Sequence, residues 1–177
     1  MIFISAGHYP SAPGAKWDRF IEHDEAMIWA TELVTELSEL GKDSLLVPTG
    51  VLKDKVAFIN ERSINGDIAL EVHFNAARDS NNNPVGKGSE TLYYPGSEKG
   101  KALAETVQAV LADCYPPSRG VKEGWYRMDP AKGPDFFLAK TKCVSVIIEP
   151  EFVHRSGIIQ SQRANAILKL AIALGDF

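Results

Sequence analysis

Two hydrophobic periods alternate along this chain. Compact apolar runs with strand character occur at Ile2-Phe3-Ile4-Ser5, at 43–47 (Asp-Ser-Leu-Leu-Val), at 67–77, at 88–94 (Gly-Ser-Glu-Thr-Leu-Tyr-Tyr) and at 143–149 (Cys-Val-Ser-Val-Ile-Ile-Glu). Between them, apolar residues recur at steps of three and four, as on one face of a helix. Met27, Ala30, Leu33, Val34, Leu37 and Leu40 predict a helix over 22–40, with Gly41 as its C-terminal cap. Val56, Ile59 and Asn60 mark a shorter helix over 53–63. Leu103, Val107, Val110 and Leu111 mark one over 98–114, and Ile158, Ala164, Ile167, Leu168, Ala171 and Leu174 one over 157–174. A further short strand is expected at Phe136–Ala139. Pro10–Ala15 and Asp79–Pro84 are loops, and 115–133 is irregular, broken by prolines and glycines. Strand and helix alternate throughout. The expectation is one α/β domain over 1–177, a mostly parallel twisted sheet of about six strands with helices on both faces.

Composition narrows the function. The formal net charge of −4 argues against a broad nucleic-acid-binding face. No window has the ~18 apolar residues of a membrane span. The first residues lack the basic segment and cleavage site of a secretory signal, so the expectation is synthesis without one. Two cysteines, Cys114 and Cys143, make no metal-binding pair by spacing. Cys143 reads as a buried thiol, with a single Cys114–Cys143 bridge left open.

Candidate chemistry gathers where strands end. Open α/β sheets bind ligands at the carboxyl ends of their strands. His8 follows the first strand, His73 ends the third and Glu149 ends the last apolar run; Glu22 opens the first long helix. Imidazole and carboxylate are ordinary ligands of catalytic zinc, which acidifies water and polarises carbonyls. No HExxH motif is present. Taken singly, each residue also has a plainer reading. His73 could be a neutral core histidine, Glu149 a capping or paired carboxylate, and the acidic run Glu22–Glu25 a complement to the helix dipole. His23 reads as a surface histidine and His154 as a possible cleft residue. Asn75 reads as a brace for the His73 turn. Glu90 is either a partner of a metal-bound histidine or an exposed strand residue. Arg119, Lys122, Trp125, Tyr126 and Arg127 offer substrate contacts or an ordinary surface loop.

An ordered set of motifs spans nearly the whole chain. It comprises Ile4-Ser5-Ala6-Gly7-His8, Glu22 with Ala30 and Leu33 downstream, Glu71-Val72-His73-Phe74-Asn75-Ala76, and Gly86-Lys87-Gly88-Ser89-Glu90. Arg119-Gly120-Val121-Lys122 and Val146-Ile147-Ile148-Glu149 with Phe152 complete it. The chain thereby resembles the zinc-dependent N-acetylmuramoyl-L-alanine amidases of the amidase-3 type, and in texture the catalytic domains of phage endolysins. The resemblance implies one Zn²⁺ per chain held by His8, Glu22 and His73, with Glu25 as rival third ligand. It implies Glu149 as general base and acid in hydrolysis of the amide between N-acetylmuramic acid and L-alanine. The implied partner is bacterial peptidoglycan, attacked by a monomer acting on the cell wall, with release through a holin pore as one route to it. A zinc peptidase cutting within the stem or cross-bridge is the alternative. Ala26, Glu151 and Lys142-Cys143 stand where the family has Asn, Gly and Pro. Glu151 could tune the site or face solvent.

Overall fold

A computed structural model describes residues 1–177. In chain order the elements are β1 (Ile2–Ala6), a small hairpin of β2 (Lys16–Trp17) and β3 (Phe20–Ile21), α1 (Glu22–Glu39), β4 (Ser44–Leu46), α2 (Leu52–Arg62), β5 (Ile68–Val72) and β6 (Ser89–Tyr93). Then follow α3 (Glu98–Cys114), β7 (Ser118–Glu123), α4 (Phe136–Lys140), β8 (Val144–Glu149) and α5 (Ser156–Gly175). The main sheet has six strands in the order β4-β1-β5-β8-β6-β7. β4, β1, β5 and β8 run parallel, and β6 and β7 are parallel to each other, but β6 lies antiparallel to β8.

Side-chain alternation divides the core in two. Ile2, Ile4 and Ala6 of β1, Ile68, Leu70 and Val72 of β5, and Val146 and Ile148 of β8 face α1, α3 and α5 in a large cluster. Phe3, Ala69 and Ile147 point the other way and pack with Val56 and Ile59 of α2 and Phe137 and Leu138 of α4. Both faces of the parallel strands are therefore covered, as such sheets require. On the three-helix side, Trp29 packs against Phe74 and Tyr115, with ring centroids 5.8 Å away in each case, and Phe20 meets Phe74 at 5.5 Å. These aromatics anchor the chain just past β5. No helix is long and apolar enough to cross a membrane.

Three expectations need correction. Phe136–Ala139 is helical, because Asp135 accepts a hydrogen bond from the Phe137 amide and caps the turn. Part of 115–133 is a strand: β7 pairs along β6 at the sheet edge, with no apolar alternation to mark it. The cysteines are free, Cys114 buried and Cys143 half-buried.

Candidate active site

The site forms at the carboxyl ends of β1, β5 and β8. Beyond β1 the chain turns sharply, and His8 adopts a left-handed conformation with φ 60°. Gly7 permits this close packing: a β-carbon there would lie about 2.5 Å from the His73 ring. Gly14, at φ +78°, likewise leaves room for Glu22 and His8, since a β-carbon would come within 2.4 Å of the Glu22 carboxylate.

Glu22 is the hub. Its Oε1 lies 3.1 Å from His8 Nε2 and 3.1 Å from His73 Nδ1. The same oxygen accepts from the Phe74 amide at 3.1 Å, and Oε2 accepts from the Ala15 amide at 2.8 Å. Burial pushes the Glu22 carboxyl up, but the hydrogen bonds and charges of His73 and His8 more than reverse this. It is held well below the usual carboxylate range. One donor atom from each of His8, Glu22 and His73 lies within 4.8 Å of the others, a group able to hold a metal ion. Four ligands at ~2.0–2.2 Å from a tetrahedral ion stand roughly 3.3–3.6 Å apart, so the 3.1 Å contacts through Glu22 are a few tenths of an ångström shorter than such an ion would set.

The far side of His73 is also committed. Its Nε2 lies 3.2 Å from Glu71 Oε2. Glu71 and His73 are two residues apart on an extended strand, so both project toward α2 and α4. Burial pushes His73 down, yet the two glutamates raise it well above its ordinary value. Glu71 also accepts from Ser5 Oγ at 3.2 Å. Lys55 of α2, 3% exposed, reaches Glu71 and the carbonyls of Ala6 and His8.

Glu149 differs from these groups. Its Oε2 is shielded from solvent and has no hydrogen-bond partner. Burial pushes its carboxyl up to about 8, against the attraction of His73 and with further upward pressure from Glu22 and Glu90. It shares a cleft of about 190 Å³ with His73, walled by Leu92, Trp125, Met128 and Ile147. A larger cavity of about 620 Å³ lies at the opposite, amino end of β5 and β8, lined by Ile64, Asp67 and Cys143, and contains none of this chemistry.

Other candidates take different places. Glu25 pairs with Arg163 Nη1 at 2.7 Å, away from the cluster. His23 is buried, not superficial: Nδ1 contacts the Gly7 carbonyl at 2.8 Å and Nε2 the Thr49 hydroxyl at 3.2 Å. Glu90 is neither exposed nor bonded to a histidine. It binds Lys122, accepts from Asn75 Nδ2 at 2.9 Å and lies 2.8 Å from Arg119 Nη1. Asn75 thus ties the turn after His73 to β6 through its side chain. Glu151 is fully buried; it accepts from the Gly88 and Phe152 amides and pairs with Arg155 at 2.9 Å. His154 lies beside Trp17 in a separate groove with Arg78. Between these, Asp79 closes its loop by accepting from the amides of Asn81 and Asn83.

Glu71 and Lys55 escape a reading focused on strand ends. Strand periodicity puts Glu71 on the face of His73. Lys55 falls on the buried stripe with Val56 and Ile59, an unusual place for an ammonium.

Solved structures share this architecture. The chain is similar to Cwp6 from Clostridium difficile over 99% of its length, at 18% identity and TM-score 0.82, and spans 28% of that protein. It is similar to an N-acetylmuramoyl-L-alanine amidase from Clostridium difficile 630, at 24% identity and TM-score 0.75, covering 99% of this chain and 92% of that one. It also resembles the catalytic domain of the CD27L endolysin targeting Clostridia difficile, at 24% identity and TM-score 0.72, covering 97% and 93%. No curated protein matches. The model of the N-acetylmuramoyl-L-alanine amidase family matches residues 2–170, and the chain belongs to that family of peptidoglycan hydrolases, which cleave between N-acetylmuramic acid and L-alanine.

Proposed function

We propose that His8, Glu22 and His73 hold one Zn²⁺ per chain and that Glu149 moves the protons as the muramyl–L-alanine amide is hydrolysed. The donor set, two imidazoles and one carboxylate, suits zinc and leaves a position for substrate or water. Bound there, the ion would acidify water and polarise the scissile carbonyl.

The chain's own groups do the rest. Glu22 keeps both imidazoles aimed at one point, and its remaining oxygen is tied to the Ala15 amide. Glu149 takes a proton from the attacking water and delivers it to the leaving nitrogen as the C–N bond breaks. The products are a lactyl carboxylate and the free amine of L-alanine. A carboxyl poised near neutral pH can serve first as base and then as acid. Leu92, Trp125 and Met128 give its cleft an apolar wall.

The observation that carries this reading is a three-donor cluster one of whose members, His73, shares a cleft with a carboxylate that has an unpartnered oxygen, Glu149. The test is metal analysis of the purified chain together with mass spectrometry of digested peptidoglycan. One zinc per chain and peptides with free N-terminal L-alanine are expected. Cuts between amino acids would replace the amidase by a peptidase, and hydrolysis unaffected by metal removal would end the zinc assignment.

A further inference from the structure

On the α2 side of the sheet, one ammonium touches the backbone that carries His8 and the carboxylate that holds His73. Lys55 Nζ donates to the carbonyls of Ala6 and His8, the latter at 2.6 Å, and lies 3.5 Å from Glu71 Oε1. These three acceptors match the three N–H bonds of an ammonium. Glu71 is equally committed: Oε1 faces Lys55 and Ser5, and Oε2 faces His73 Nε2. With Nε2 engaged as donor, His73 presents Nδ1 to Glu22.

The His8 turn needs such support. A non-glycine residue in the left-handed region is strained, and persists where its surroundings over-determine it. Gly7 N–H bonds to the Val72 carbonyl at 2.7 Å and His23 takes the Gly7 carbonyl, while Lys55 takes the carbonyls on either side. Without Lys55, two carbonyls and a buried carboxylate oxygen would lose a donor together.

We propose that Lys55 is a positioning residue for the metal centre, fixing the His8 turn directly and the His73 ring through Glu71. This rests on the metal site proposed above. A lysine that merely stabilised the fold would leave metal affinity unchanged in a folded variant. A positioning lysine sets the affinity and the ligand field.

The experiment measures zinc affinity by competition with a chromophoric chelator, and the visible spectrum of the cobalt(II)-loaded chain. It compares wild type, Lys55→Met and Glu71→Gln well below their unfolding temperatures. Wild type should bind one metal ion, and each variant should bind it about 10–100-fold more weakly, with displaced cobalt bands. Folded Lys55→Met with wild-type affinity and spectrum would overturn the proposal while leaving the metal site standing. If Lys55→Met does not fold, Glu71→Gln, which keeps the side-chain shape, decides by the same two readouts. A wild type that binds no zinc would instead remove the metal site itself.

Discussion

Glu71 and Glu149 are the same side chain near the ends of two neighbouring parallel strands, and their surroundings drive them apart. Both project from the sheet toward α2 and α4. Glu71 is fully supplied with partners, from Ser5, Lys55 and His73. Burial raises its pKa, and those partners more than reverse the effect, so it stays ionised. Glu149 has an oxygen with no partner, and burial carries it to about 8. The difference teaches which carboxylate holds and which one reacts. A satisfied buried charge fixes geometry; an unsatisfied one near neutrality is available for proton transfer.

The sharpest way to break this contrast is Glu149→Gln. Hydrolysis of purified peptidoglycan should fall by about 10²–10⁴-fold, while zinc content measured by atomic absorption stays at wild-type level. Wild-type turnover would remove Glu149 from the mechanism. Glu151 supplies the opposite case, a fully buried carboxylate with all its work in backbone and Arg155 contacts. Glu151→Ala should cost about 1–3 kcal/mol in denaturant unfolding for each of the buried Gly88 and Phe152 amides it leaves without an acceptor. Metal removal tests the cluster as a unit. At a free zinc concentration about a thousand times Kd the ion contributes roughly 4 kcal/mol, so chelation should lower Tm by about 8–16 °C in calorimetry.

The smallest effect sharpens the comparison through pH. In the metal-free chain the folded pKa of Glu149 lies above the unfolded value of about 4.3. Between these two values the folded state holds a proton that the unfolded state has released. Stability therefore declines as pH rises through that window, with no penalty below it. Metal-free Glu149→Gln should melt roughly 2–8 °C above metal-free wild type at pH 8 and level with it at pH 4. Glu71 has the opposite sign: its contribution is present above the unfolded value and is lost as pH falls through its depressed folded one.

Periodicity made the sheet and its main helices legible, because buried strands and amphipathic helices are written in apolar spacing. The three donors were legible as residues that follow strands or open a helix, and the structure brings them together. Local competition hid the rest. The Phe-rich segment 136–139 favours a strand by propensity, but the Asp135 cap and burial of Phe137 and Leu138 make it helical. β7 lies at the sheet edge and lacks alternation, so nothing in 118–123 announces it. His23 looked superficial beside acidic neighbours. It turns inward because the start of α1 is pinned beneath the His8 loop, where the Gly7 carbonyl and Thr49 await it. Lys55 and Glu71 form a contact 16 residues apart in sequence, which no local pattern records.

The reversed direction of β6 against β8 has a consequence for how such a hydrolase can diversify. The segment that leads into β6 leaves from the same rim as the turns after β1, β5 and β8. Between Arg78 and Pro84 that segment is braced largely by Asp79 and its own backbone. Its length and chemistry can therefore drift while the sheet below stays unchanged. The scissile step remains constant as the collar around it is retailored for different walls.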